Sequence, residues 1–183
     1  LTNEGIVEVP APGETAELPT DIYLGGVVGY ADLGASYSTV ESSDAPKKAL
    51  VDCKNVGEIR YHGLATNGVY IGGIVGKAFK TPIYNCSNEG KIVSTGHAGS
   101  LLNRQGESAG KSLDAKQLWY NDLAIGGVVG ETDSNVLTSS NSAAIQHTCT
   151  TNPLKTDQWD EEASSRFDIG GVIGRTYIGA SQG

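Results

Sequence analysis

Four short stretches of the chain alternate apolar and polar residues with a period of two, and each runs into a pair of glycines. In the clearest, Val69 and Ile71 flank Tyr70 just ahead of Gly72-Gly73. The equivalent apolar pairs are Ile22/Leu24, Leu123/Ile125 and Phe167/Ile169. This alternation predicts half-buried β-strands with those pairs turned inward. Tyr23 and Tyr70 then stack on the outer face of successive turns of the chain. Beyond the strand comes an apolar-Gly-Gly-apolar-apolar-Gly string. Its glycine pairs are Gly25-Gly26, Gly72-Gly73, Gly126-Gly127 and Gly170-Gly171. Glycine pairs weaken an ordinary strand. Their recurrence at one place predicts a bend that needs positive φ or a close approach of two backbones.

A second motif alternates with the first. It reads Asn-x-small-x-apolar, at Asn55-Val56-Gly57-Glu58-Ile59, Asn88-Glu89-Gly90-Lys91-Ile92 and Asn141-Ser142-Ala143-Ala144-Ile145, with an opening copy from Asn3. The Asn-x-Gly segment is a turn signal, because Asn tolerates left-handed φ and can bond locally. The step from Asn55 to Asn88 is 33 residues, and the other Asn-to-Asn steps are 52 and 53. The extra length falls between the motifs and never inside them, as in solenoids whose insertions go to edge loops. The expected fold is all-β: a parallel β-helix or β-solenoid of about four irregular coils, with like residues stacked in ladders and with edge-loop insertions. Residues 1–183 form one repeat domain. The best helical stretch, Ser112–Tyr120, sits inside an insertion.

Two phosphate-loop patterns are near-misses. "IGGIVG" lacks the GxGxxG spacing and runs into Pro82 instead of a helix, and four copies would mean four cofactors. Gly106–Ser112 has three residues between its glycines where a P-loop needs four. The strings are scaffold, and no cofactor is expected.

The motifs resemble the GLUG-type repeats of large bacterial surface proteins. Gly72-Gly73-Ile74-Val75-Gly76 followed by Asn85-Cys86-Ser87-Asn88-Glu89-Gly90-Lys91-Ile92 carries the resemblance, which extends over all four coils. It implies a right-handed β-helix or similar solenoid, exported and displayed at the cell surface, as in gut Bacteroidetes and Gram-positive adhesins. Related repeats accompany immunoglobulin A-cleaving metalloproteases, but no HExxH occurs here. The copy "SSNSAAI" lacks the Cys and the Gly, which puts its turn geometry in question.

The chain is acidic, with net charge −8 and pI about 4.8. That argues against nucleic-acid binding, which needs clustered Lys and Arg. No apolar run approaches the roughly 18–20 residues of a membrane span, so this segment does not insert in a membrane. The chain opens at Leu1 and contains no Met. It reads as a fragment of a larger surface protein with neighbouring domains. Cys53 and Cys86 occupy equivalent places and are expected as a small buried ladder of thiols. His147 and Cys149 offer two metal ligands with no others nearby, so no metal site is expected.

Catalysis by a β-helix would need two carboxylates roughly 5–10 Å apart. The outward candidates Asp21, Asp122 and Asp168 form no consistent cluster along the repeat, so no catalytic residues are assigned. Binding has better candidates. Asn88 to Gly126 spans 38 residues and Asn141 to Gly170 spans 29, against 17 from Asn55 to Gly72. Both insertions therefore leave the same edge of adjacent coils. They hold the two tryptophans, Trp119 (beside Tyr120) and Trp159. Loops on a rigid scaffold carry binding, and Trp is enriched in hot spots; loops closed onto the coil by their own Trp are the plainer alternative. Tyr23 and Tyr70 are secondary candidates, against a plain surface pair. The expected function is a non-enzymatic adhesin or stalk that binds a glycan or a host-surface protein through its inserted loops. The alternative is a carbohydrate-active β-helix enzyme, a polysaccharide lyase or glycosidase.

Overall fold

The computed structural model describes residues 1–13, 17, 19–34, 49–65, 67–98, 122–148 and 166–176. Among them the regular elements are all short β-strands, with no helix, and each strand pair is parallel. Ser112–Tyr120 lies outside the described residues.

The pairing joins equivalent strands of successive repeats, so the parallel sheets stack in rungs. Asp21–Gly25, Gly68–Gly72, Asp122–Gly126 and Arg166–Gly170 form one sheet. Gly25, Gly72, Gly126 and Gly170 stand in register there. Past the glycine pair, Val28–Asp32, Val75–Phe79, Val129–Thr132 and Ile173–Thr176 form a second sheet. The motif Asn residues are also in register, Asn3 on Asn55 on Asn88 on Asn141.

The bend splits each rung between two apolar clusters. Before it, Val69 and Ile71 join Ile59, Tyr61, Ile92, Leu123 and Ile125. After it, Ile74, Val75 and Ala78 join Cys53, Ile83, Cys86, Val128 and Val129. Each buried Ile or Val side chain contributes about 1.5–3 kcal/mol. The inward pair of the last rung is different: Phe167 and Ile169 are exposed. They end the stack and have no described rung beyond them.

Close approach, not positive φ, explains the glycine pair. A Cβ on Gly73 would lie 2.0 Å from the Gly127 carbonyl oxygen and 2.4 Å from Cγ of Asn88. The bend packs directly on the next rung and on its Asn. The motif Asn residues do not use left-handed φ either. Asn88 closes its turn with its side chain, donating to the Gly90 carbonyl at 2.9 Å and accepting from the Gly90 N–H at 3.2 Å. Positive φ falls at Asp52, Asn85 and Thr138, the corner just before Cys53, Cys86 and Ser139. The divergent copy keeps the turn: Asn141 donates to Ala143 at 2.9 Å and accepts from its N–H at 3.3 Å. Both thiols are free and buried. Burial, chiefly, pushes the Cys86 thiol up to about 11, against backbone hydrogen bonds at Cys53 and Tyr84 that lower it.

Candidate functional site

Outward positions of a flat sheet face solvent, but here the Gly-Gly bend turns the outer faces of the two sheets toward each other. One face brings Tyr23, Tyr70, Asp122 and Asp168. The other brings the residue directly after each string: Tyr30, Lys77, Glu131 and Arg175. Between them lies a cleft of about 450 Å³. Phe79 and Asp133 contribute to its lining along with Lys77, Asp122, Glu131 and Arg175.

Tyr70 is central and buried, at 6 % exposure. This corrects the expectation of an open tyrosine face. The stack itself forms: Tyr23 and Tyr70 lie 5.5 Å apart with planes 10° from parallel. Lys77 also lies over the Tyr70 ring, its Nζ 4.5 Å from the centroid. The Tyr70 hydroxyl donates to Asp122 at 2.9 Å. Burial and then the Asp122 charge push its pKa well above the ordinary tyrosine range. Tyr23 is the exposed member of the pair.

Arg175 is the hub of the charged groups, with its side chain only 4 % exposed. Its guanidinium donates to Asp168, to Asp122 and, at 3.4 Å, to Glu131. Glu131 also pairs with Lys77 at 2.7 Å. Burial works against both cations, but these carboxylates outweigh it and raise both pKa values. The sequence spacing showed no acidic cluster. The structure gathers Asp122, Asp168 and Glu131 around one arginine. Asp21 stands apart, accepting from the Gly68 N–H at 3.0 Å and from Asn67 at 2.9 Å.

Both oxygens of Asp122 and of Glu131, and one of Asp168, already pair with Arg175, Lys77 or Tyr70, which leaves them less ready to exchange a proton with a substrate. The charged donors and acceptors that line the cleft are thus largely paired with one another. Among the described residues no three His, Cys, Asp or Glu side chains could hold a metal together. His62 and His147 instead bond Thr95 (2.6 Å) and Ser94 (3.1 Å).

Lys77, Glu131 and Arg175 escaped the sequence reading, although a signal existed. Each directly follows the last glycine of its string, so all three occupy one repeat position. Trp119, Tyr120 and Trp159 lie outside the described residues. The scaffold positions that receive their segments are described, however. The first insertion ends at Asp122 and the second at Arg166, and these two residues are register partners. Asp122 itself lines the cleft.

No protein-family profile, curated protein or solved structure matches the chain.

Proposed function

We propose that the chain is a β-helical stretch of an exported bacterial surface protein of the GLUG-repeat kind. It works without catalysis, as an adhesin or stalk, and takes a glycan or a host-surface protein at its inserted edge. One observation carries this reading. Both Trp-bearing insertions return to the scaffold at paired residues of one sheet, Asp122 and Arg166, next to a polar cleft. Segments inserted into a rigid repeat scaffold are where binding tends to lie. Its acidic charge disfavours nucleic acid and anionic membranes as partners. Neighbouring domains of the parent protein would hold the stack at the surface.

A glycan-array screen of the wild type beside a Trp119→Ala/Trp159→Ala double variant tests the proposal. Binding to a defined sugar class, lost by at least tenfold in the double variant, is expected. Equal binding by both proteins would remove the tryptophans from the site, and no binding by either would remove glycan as the ligand.

The carboxylates around Arg175 give the second reading, a carbohydrate-active enzyme, its one supporting observation. Incubating each bound glycan with the protein and weighing the products separates the two. Intact glycan is expected; shortened or unsaturated fragments would favour the enzyme.

A further inference from the structure

Cys53 and Cys86 hold the same repeat position in neighbouring rungs. Lys54 and Ser87, the residues after them, are register partners, and the Ser87 N–H donates to the Cys53 carbonyl at 2.9 Å. Neighbouring parallel strands stand about 4.7–4.9 Å apart. That spacing falls inside the roughly 4.4–6.8 Å between Cα atoms that a disulfide spans.

Both side chains turn inward, 4 % and 1 % exposed, into one apolar cluster. The two thiols lie within hydrogen-bonding reach of each other. Cys86 Sγ donates to the Tyr84 carbonyl of its own rung at 3.3 Å and to the Leu50 carbonyl of the Cys53 rung at 3.4 Å. Cys53 Sγ is held more loosely, 3.6 Å from the Val51 carbonyl. In the following rung Ser139 takes this place. Its hydroxyl accepts from the Cys86 N–H at 3.1 Å and donates to the Leu137 carbonyl at 2.9 Å. The position thus offers a pair of sulfurs, not a continued column.

We infer that Cys53 and Cys86 are a disulfide site, joined between neighbouring rungs when the chain folds in the presence of a disulfide oxidant. Both thiols are free in this structure, which is the reduced form. Oxidation takes two exchanges. One thiolate attacks the S–S bond of the oxidant, forms a mixed disulfide and expels the first thiolate. The second cysteine attacks the mixed disulfide and expels the other. The protein gives up two electrons and two protons, and the oxidant leaves as two thiols.

The fold dictates the timing. The buried Cys86 thiol is pushed up from 9.0 to about 11. At neutral pH the fold therefore holds about a hundredfold less of it as thiolate than the open chain does. The bond forms before the coil closes and is shielded afterwards. It encloses residues 53–86, one coil without an insertion, which carries Tyr70 and Lys77 of the cleft. Closing that loop restricts the unfolded chain and so favours the fold. That the chain meets an oxidant rests on the export proposed above; the capacity to form the bond rests on the geometry alone.

The test refolds the full chain, reduced and unfolded in urea, into either a glutathione redox buffer or dithiothreitol. Free thiols are then alkylated and the peptides mapped by mass. After glutathione, Cys53 should be joined to Cys86, with Cys149 outside the pair, and a Cys149→Ser variant should form the same bond. The urea midpoint of the bonded form should lie above that of the reduced one. The same buffer added to folded, reduced protein should give the bond at least about tenfold more slowly; an equal rate would overturn the timing. Alkylation of both Cys53 and Cys86 after refolding in glutathione overturns the inference. So does either one joined to Cys149, or a bonded form with a lower midpoint. Because the oxidant is supplied, these failures leave the export reading untouched.

Discussion

At the scale of single residues, the motif Asn is what ties one rung to the next. Asn88 is fully buried and makes four bonds. It accepts from Asn55 and the Gly90 N–H, and it donates to Asn141 and the Gly90 carbonyl. Asn88→Ala leaves a donor on Asn55 without a partner inside the stack and takes one of two donors from Asn141 Oδ1. Unsatisfied buried groups cost about 1–3 kcal/mol each, so urea unfolding should show a loss of about 2–4 kcal/mol. Asn3→Ala, at the exposed end of the same ladder, should cost less than about 1 kcal/mol. Equal losses would mean that the ladder does not bear on stability. Much of this was legible in the sequence. The Asn copies recur in the sequence and stand in register, even where the third lacks its Cys and Gly. What the sequence hid was the turn chemistry. Propensity points to left-handed Asn, but the side chain closes the turn, and the left-handed corner falls on Asp52, Asn85 and Thr138. No glycine marks that corner, so composition gave no sign of it.

At the scale of strands and sheets, period-two alternation correctly assigned the inward pairs of the inner rungs. It failed for the outward ones. Outward means solvent only on an open sheet, and the Gly-Gly bend folds one outer face against the other. That is why Tyr70 is buried and why Lys77, Glu131 and Arg175 meet Asp122 and Asp168. The insertion contents, including Trp119 and Trp159, carry no repeat pattern that could have placed them. The burial has a consequence at high pH. Cys86, Tyr70 and Lys77 all have folded pKa values raised above their ordinary 9.0, 10.0 and 10.5. For a raised group, the stability contributed is complete below the unfolded pKa and is lost as pH climbs through the folded one. The denaturation midpoint should therefore hold up to about pH 9 and then fall. Between pH 9 and 11 the main contributor is Cys86, whose thiol sits at about 11 in the fold; its share is about 2 kcal/mol. A Cys86→Ala variant, though less stable at neutral pH, should lose that early part of the decline. An unchanged midpoint through pH 11 in the wild type would show that these groups are not buried as described.

At the scale of the whole molecule, the repeated strings act as scaffold. They set two apolar clusters side by side, place a polar cleft where the outer faces meet, and bring two insertions back at paired residues. None of this requires a nucleotide or a metal. It does require that the rungs stack in the observed register, because the cleft, the Asn ladder and the insertion edge all follow from it. The most direct test compares one residue type at one repeat position, inside the stack and at its end. Gly73→Ala would put a methyl group 2.0 Å from the Gly127 carbonyl oxygen, while Gly171→Ala would meet no atom of the described residues within 4 Å. Urea unfolding in dilute solution should show a loss of more than about 2 kcal/mol for Gly73→Ala. It should show a change within about 0.5 kcal/mol for Gly171→Ala. Similar values for the two variants would contradict the stacking of the rungs.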